Sequence, residues 1–419
     1  MERSILWQRC RRIVLLVLCI VLGMTLFGLL AQTEETELQE PALHGSGSIL
    51  YGEGVSSLSL DQEAPIQSYM EAWYESLSDL TPRELSGLFT DDMQLRANRS
   101  SLELQIALRQ AAPVDYSLQG YSYTLECIQM DRQEDGSVRI GALEDSVQNF
   151  SALPEVDAQR FGSYHHFTLE QTDGVWKIRT HYQYDVLQME GIRARMESAG
   201  DGGFPSIPVS ELAEDSIRLV PEYQEAILTA AREREEQRED PLPDTRADHP
   251  YLREEAVEYA STWAEERNPD WVDYSRSGGN CQNFASQSLL AGGIPMDITG
   301  DYVWKWYGST VANSPGAYGR SSSWSGVKQF MAYAAGNTGP GLVAVTDAPY
   351  FTGEAGDLIH MGMEEDWRHT VVISRPVLDP AGQVQDYLVD SNTGNLRNFP
   401  ASLYGYADLS LTKIIGWND

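Results

Sequence analysis

The sequence predicts an α+β protein: two folded bodies behind an N-terminal export or anchoring helix. Three observations predict it. An uncharged apolar run, Ile13–Ala31, follows Arg3, Arg9, Arg11 and Arg12 at the start of the chain. Residues 63–188 pass from helical to strand periodicity, and residues 249–419 do so a second time. Helices first and an antiparallel sheet after is the α+β layout.

The apolar run is either a signal peptide or a membrane anchor, residues 1–31. Its length suits a span, while Leu29-Leu30-Ala31 before Gln32 forms an imperfect cleavage site. In both cases the arginines stay inside and everything from Gln32 on lies outside the membrane, which makes the protein extracytoplasmic, anchored or secreted. Residues 32–62 are acidic, then rich in Gly and Ser, and read as a flexible spacer.

In the first body, Ile66, Tyr69, Met70, Trp73 and Leu77 recur at helical spacing. A second short helix is expected over Pro82–Leu88, capped by Thr81. Beyond Pro113, Tyr121–Gln129, Ser137–Ala142, Tyr164–Gln171 and Val175–Gln183 read as strands, with Gly136 and Asp173-Gly174 as turns. Helices followed by a meander resemble the cone-shaped NTF2-like domains in pattern. His165 and His166 are neighbours on one strand, so they point to opposite faces and are expected at the surface. Residues 189–248 hold a Gly- and Ser-rich linker (Glu190–Pro208), a charged helix (Ser210–Arg238) and a Pro-containing linker (Asp240–Asp248).

The second body opens with a helix, Arg253–Arg267, stopped by Asn268-Pro269. Gly278-Gly279-Asn280-Cys281 then starts another helix, with Asn280 as its cap. A cysteine in the first turn of a helix faces unpaired N–H groups and the positive end of the helix dipole, which favour the nucleophilic thiolate. A further helix over Ser325–Ala335 precedes strands at Asp357–His360, Thr370–Ser374, Asp386–Val389 and Lys413–Trp417.

A nucleophilic cysteine needs a base and a group that orients the base. His369 begins a strand whose apolar run, Val371–Ile373, would hold it rigidly; His360 and His249 are weaker candidates. Asp390 and Asn392 share a face by strand alternation, and either could hold the imidazole Nδ1–H and turn Nε2 to sulfur. Cys127 reads as a buried strand residue, although a Cys127–Cys281 disulfide would remove the nucleophile. No paired-cysteine or paired-histidine spacing suggests zinc. No cofactor is expected. The net charge of −32 excludes a nucleic-acid partner, which needs a basic face.

From Tyr251 to the C-terminus, the order Tyr251-Leu-Arg-Glu-Glu-Ala, Trp263, Arg267-Asn-Pro, Gly278-Gly-Asn-Cys-Gln-Asn-Phe, Ala291-Gly-Gly-Ile-Pro, Ser323-Trp324, Gly356-Asp357 and Trp367-Arg-His369 resembles the putative amidase domain family of exported bacterial proteins. That family is related to the papain-like NlpC/P60 and CHAP cysteine hydrolases. The resemblance implies a papain-like fold, Cys281 as nucleophile, His369 as base, and Asn392 at a third polar position where the family usually has histidine. Asp390 remains the alternative there. The chain departs from the family pattern at Asn280, usually Asp, and at Gln282, usually Thr. Asn280, Trp304, Trp324 and Trp367 are expected to line a substrate groove, with core packing the competing role for the tryptophans. Two functions follow: an extracytoplasmic hydrolase of amide bonds acting on cell-wall peptides, or a tethered binding protein on a hydrolase fold that no longer turns over.

Overall fold

A computed structural model describes residues 44–183, 209–275 and 279–419. The expected signal or anchor, residues 32–43 of the spacer, the Glu190–Pro208 linker and Gly278 lie outside the described residues. Among the described residues, no helix is long and apolar enough to cross a membrane.

The described residues form one compact unit. The first half places α1 (Leu60–Asp79) and α2 (Asp92–Ala111) beside five strands: β1 (His44–Tyr51), β2 (Leu118–Arg132), β3 (Val138–Phe150), β4 (Leu153–Thr172) and β5 (Val175–Gln183). A long helix, α3 (Val209–Glu236), connects to the second half. There β6 (His249–Pro250), α4 (Arg253–Trp263), α5 (Cys281–Ala291), α6 (Ser322–Ser325) and α7 (Val327–Gly336) come before β7 (Gly341–Ala348), β8 (Leu358–Met363), β9 (Asp366–Leu378), β10 (Val384–Ser391), β11 (Leu396–Pro400) and β12 (Asp408–Asn418). The α+β class holds throughout. Every strand pairing is antiparallel except that of β1 with β2.

One sheet runs through both halves. Its order is β1-β2-β3-β4-β11-β10-β9-β8-β12-β6, with β5 on β4 and β7 on β12. The seam is the pairing of Leu396 with Arg160 and of Arg397 with Gln159. Apolar residues seal it, because Leu388, Leu396, Phe399 and Leu403 share a core with Leu104, Leu108, Phe150 and Ala158. Buried polar contacts add to it: the Tyr116 hydroxyl (2.8 Å) and the Ser402 hydroxyl (2.6 Å) both donate to Asp386 Oδ2.

Three local expectations change. Residues 44–51, placed in the flexible spacer, are a strand. Gly45 and Gly47 lie opposite Tyr121 and Tyr123, and a Cβ at either glycine would come within 2.4 Å or 2.1 Å of a tyrosine ring. The glycines therefore make room for rings instead of loosening the chain. Pro82–Leu88 is not a helix, because Leu80 adopts a left-handed conformation (φ 55°) that ends α1, and the chain then runs on to bridge Phe89 to Ile178. The second helix is Asp92–Ala111, capped by Asp91 accepting from the Gln94 N–H at 2.9 Å. His165 and His166 do face opposite ways, yet both are buried: His165 bonds Glu144, and His166 stacks on Tyr182.

In the second half, helices α4, α5 and α7 cover one face of the sheet around Val372, Leu358 and Ile414. The opposite face carries a second core of Val371, Ile373, Met361, Tyr387 and Val389. The candidate site lies where the start of α5 meets the start of β9.

Candidate active site

Cys281 is the first residue of α5, and the Asn280 carbonyl accepts the first helical bond, from the Phe284 N–H at 2.9 Å. Gly279 precedes it at φ +110°, a conformation that side chains avoid. Neither Cys281 nor Cys127 is in a disulfide, so the disulfide alternative falls. Cys127 is a buried strand residue whose thiol burial pushes up to about 12.

The helix behind Cys281 is buried despite its polar residues, because the core satisfies them. Gln282 Oε1 accepts from the Thr370 hydroxyl (2.9 Å), and Asn283 Oδ1 accepts from Trp324 Nε1 (2.8 Å). The Ser286 hydroxyl donates to the Trp324 carbonyl (2.8 Å) and accepts from Trp304 Nε1 (3.0 Å). These bonds lock α5 to the sheet and fix where the thiol stands. Cys281 Sγ lies 3.9 Å from the carbonyl oxygen of Arg368, the residue before His369.

His369 is buried, and burial lowers its pKa to about 4, so the imidazole is neutral near pH 7. Its Nε2 is 3.0 Å from Ser391 Oγ, and the Ser391 hydroxyl proton is directed to the Thr393 carbonyl at 3.1 Å. With the hydroxyl proton on that carbonyl, Ser391 Oγ accepts from Nε2–H, the tautomer in which Nδ1 is the basic nitrogen. Tyr404 closes the wall, its ring 5.5 Å from that of His369. Burial raises the Tyr404 phenol above the usual range, and the Cys281 charge adds to the rise.

The expected orienting residues do not touch His369. Asp390 pairs with Val372 across β9 and β10, so Ser391 falls opposite Val371, on the face that alternation gives to His369. Asp390 and Asn392 go to the other face. Asp390 Oδ1 accepts from the Asn398 N–H at 2.8 Å, and burial raises its pKa to about 7. Asn392 donates to the carbonyls of Trp263 (2.6 Å) and Glu266 (2.9 Å), and its Oδ1 accepts from Asn280 Nδ2 at 2.6 Å. The ring is also turned relative to expectation: Nε2, not Nδ1, is held. Ser391 was missed because the sequence carries strand periodicity but not the pairing register that sets its parity.

Asn280 does not cap the helix with its side chain. Its Oδ1 accepts from the Tyr274 N–H (3.1 Å) and Asn283 Nδ2 (2.9 Å), while its Nδ2 serves Asn392. It therefore joins the 270s loop to the site and lines a narrow cleft with Trp263, Trp271, Asp273 and Asn392. Trp304 and Trp324 are fully buried, with centroids 4.8 Å apart, and do not line a groove. Trp367 is half-buried on the hairpin before His369. Tyr274, held by Arg320 Nε at 2.7 Å, and the exposed Tyr307 and Tyr318 present aromatic surface on the neighbouring loops. The aromatic density of residues 302–324 was the signal for these, but it does not separate core rings from exposed ones.

His360 is excluded as a base. Thr370 Oγ1 (2.9 Å) and Thr412 Oγ1 (3.0 Å) occupy both its nitrogens, and burial lowers its pKa to about 3. His249 lies at the domain edge on Trp417 and Asp419. Asp357 is structural, bonded to Arg253 (2.7 Å) and to the Ile414 N–H (2.9 Å). Among the described residues, no group of three or more His, Cys, Asp or Glu is placed to hold a metal ion.

Cys281 begins α5, and His369 on β9 follows directly after the carbonyl that Sγ approaches. Residues 250–412 match the family described as the putative amidase domain, which supports amidase or hydrolase chemistry at the level of the family. No curated protein matches the chain. Among solved structures, a putative scytalone dehydratase from Novosphingobium aromaticivorans is 18% identical with a TM-score of 0.22, over 30% of this chain and 83% of its own. The intermembrane-space region of the chloroplast protein ARC6 is 15% identical with a TM-score of 0.19, over 30% and 98%. A Mycobacterium tuberculosis protein of unknown function is 10% identical with a TM-score of 0.19, over 38% and 88%. Likenesses this low carry no inference about function.

Proposed function

We propose that this chain is an extracytoplasmic cysteine hydrolase of amide bonds, tethered or exported by residues 1–31, with cell-wall peptide as substrate. In this reading the second half is a papain-like domain of the NlpC/P60 kind and the first half is an NTF2-like cone. The observation that carries it is the place of Ser391, whose Oγ lies 3.0 Å from His369 Nε2 and 3.1 Å from the Thr393 carbonyl; in this reading Ser391 holds Nε2–H and the lone pair on Nδ1 takes the proton.

The steps balance as follows. Nδ1 of His369 takes the Cys281 thiol proton, and the thiolate attacks the amide carbon. Backbone N–H groups at the start of α5, which the Asn280 side chain leaves uncapped, receive the oxyanion. The imidazolium returns its proton to the leaving amine as the C–N bond breaks, leaving a thioester. Nδ1 then deprotonates a water that attacks the thioester, releasing the acid and restoring the thiol. Tyr274 and the aromatic loops beside it receive the substrate chain.

A binding protein on a silent hydrolase fold is the second reading. The neutral Asn280–Asn392 pair favours it, standing where the family resemblance expects Asp and His. Turnover of purified wall peptides decides. The wild type should release new amino termini, and Cys281→Ser and His369→Asn should each lower the rate by ~10³-fold or more while folding normally. Activity undiminished in Cys281→Ser overturns the hydrolase reading.

A further inference from the structure

The first half of the chain holds a buried polar seam with one unbonded stretch. Helix α2 turns Asn98, Ser101, Gln105 and Arg109 towards the sheet at steps of three or four residues. Strand β3 turns Glu144, Ser146 and Gln148 towards the helix at steps of two. One end of the seam is fully bonded. Glu144 accepts from the Tyr74 hydroxyl and lies 2.9 Å from His165, which lies 3.1 Å from His181, itself 2.6 Å from Asn98. The other end is bonded too, with Arg109 Nη2 donating to Gln148 at 3.3 Å and Nη1 to Gln105 at 3.1 Å.

Between the two ends, Ser101 Oγ, Ser146 Oγ and Arg109 Nε are buried and find no partner among the described residues. All three residues are 3% exposed. Arg160 is the register partner of Ser146 on β4, which puts a second guanidinium on this face. The groups that Arg109 bonds, Gln105 and Gln148, are neutral, and Glu144, the carboxylate of the seam, already serves Tyr74 and His165. Burial, and then Arg160, lowers the Arg109 pKa to about 9. A buried cation normally has a counter-charge, because removing it from water costs several kcal/mol.

We propose that this gap is an anion site and that its ligand is a small organic carboxylate, held by Arg109 and Ser146. The Nε–H and Nη2–H of Arg109 form the two-pronged donor that matches a carboxylate's two oxygens. The hydroxyls of Ser146 and Ser101 supply further donors, and Arg160 adds charge. Tyr123, the register partner of Ser146, stacks with Tyr74 at 5.5 Å and borders this face of the sheet with aromatic rings. This site is independent of Cys281.

Thermal unfolding of the full chain tests it, with sodium acetate compared against sodium chloride at equal ionic strength. Acetate should raise the Tm by ~2 °C or more, in a saturable way, beyond chloride. Arg109→Met should abolish that rise and be at least as stable as wild type without acetate, because it removes an unpaired buried charge. Ser146→Ala should fold and shift the acetate midpoint ~5- to 10-fold upward, for the loss of one hydrogen bond to a charged group. Equal effects of acetate and chloride on the wild type, an acetate response that survives in Arg109→Met, or an unchanged midpoint in Ser146→Ala would each overturn the proposal.

Discussion

Asp390→Asn separates stability from catalysis at the residue that sequence periodicity offers as the orienter of the histidine. The Asp390 carboxyl is buried; one oxygen accepts from the Asn398 N–H, and the other has no partner among the described residues. Burial raises its pKa from 3.8 to about 7. The folded state then binds the proton more tightly than the unfolded state, so stability falls as pH rises from about 4 to about 7. At pH 5 the folded group is protonated and the unfolded one is mostly ionised, a destabilisation of about 2 kcal/mol relative to strong acid. At pH 8 the same comparison gives about 4 kcal/mol. Asparagine cannot titrate. Whatever fixed cost its amide brings, its stability relative to wild type should therefore improve by about 2–3 kcal/mol between pH 5 and pH 8. Urea unfolding of both proteins at the two pH values measures this difference directly. A gap that stays constant with pH would refute the reasoning. Alkylation of Cys281 by iodoacetamide should be unchanged in the same variant, since Asp390 does not touch His369; a large loss would restore Asp390 as the orienter.

Three further outcomes are expected. Ser391→Ala should remove the acceptor of His369 Nε2–H and lower kcat ~10-fold with little change in KM, at a stability cost of about 1 kcal/mol; equal activity would show that the tautomer is held some other way. Asn280→Asp alone should destabilise by about 2–3 kcal/mol, because it sets a buried carboxylate oxygen against Asn392 Oδ1, and adding Asn392→His should recover most of that loss in a double-mutant cycle; additive losses would show that the two positions are not coupled. Wild type should lose stability as pH falls from 6.5 towards 4, because His166, His360 and His369 are held by burial to about 4, 3 and 4, and protonation then favours the unfolded chain. A Tm that is flat or rising over that interval, measured beside the opposing Asp390→Asn control, would contradict the burial of these rings.

What was legible in the sequence is what depends on local spacing. The start of α5 at Cys281 and the strand bearing His369 follow from helix-start chemistry and an apolar run, and the structure places both elements as expected. What was illegible depends on partners far along the chain. Strand alternation groups Asp390 with Asn392 correctly, but the pairing of Asp390 with Val372 decides which group faces His369, and it selects Ser391. Gly45 and Gly47 look like spacer composition until Tyr121 and Tyr123 lie on them. Helix α2 hides its period because its sheet-facing stripe is polar (Asn98, Ser101, Gln105, Arg109), and a polar stripe normally signals solvent. Trp304 and Trp324 have the composition of a binding groove, but their indole N–H groups are spent inside, on Ser286 and Asn283.

The shared sheet explains why a domain of this kind would carry another in front of it. The hairpin of β10 and β11 holds Ser391, Asn392 and Thr393: Ser391 orients His369, Asn392 holds Asn280, and the Thr393 hydroxyl accepts from the Asn280 N–H at 2.8 Å. In a domain ending at β11, that hairpin would form an exposed edge, free to fray within a few residues of the thiol. Here β4 of the first half pairs with β11, and Arg397 ties Gln159 (2.9 Å) to the Ser261 carbonyl (3.0 Å) across the seam. Tyr116 anchors Asp386, which holds the turn at Ser402 just before Tyr404, the ring packed on His369. The first half thus buttresses both walls of the imidazole, so the geometry on which the proposed Cys281 chemistry depends is set jointly by the two halves.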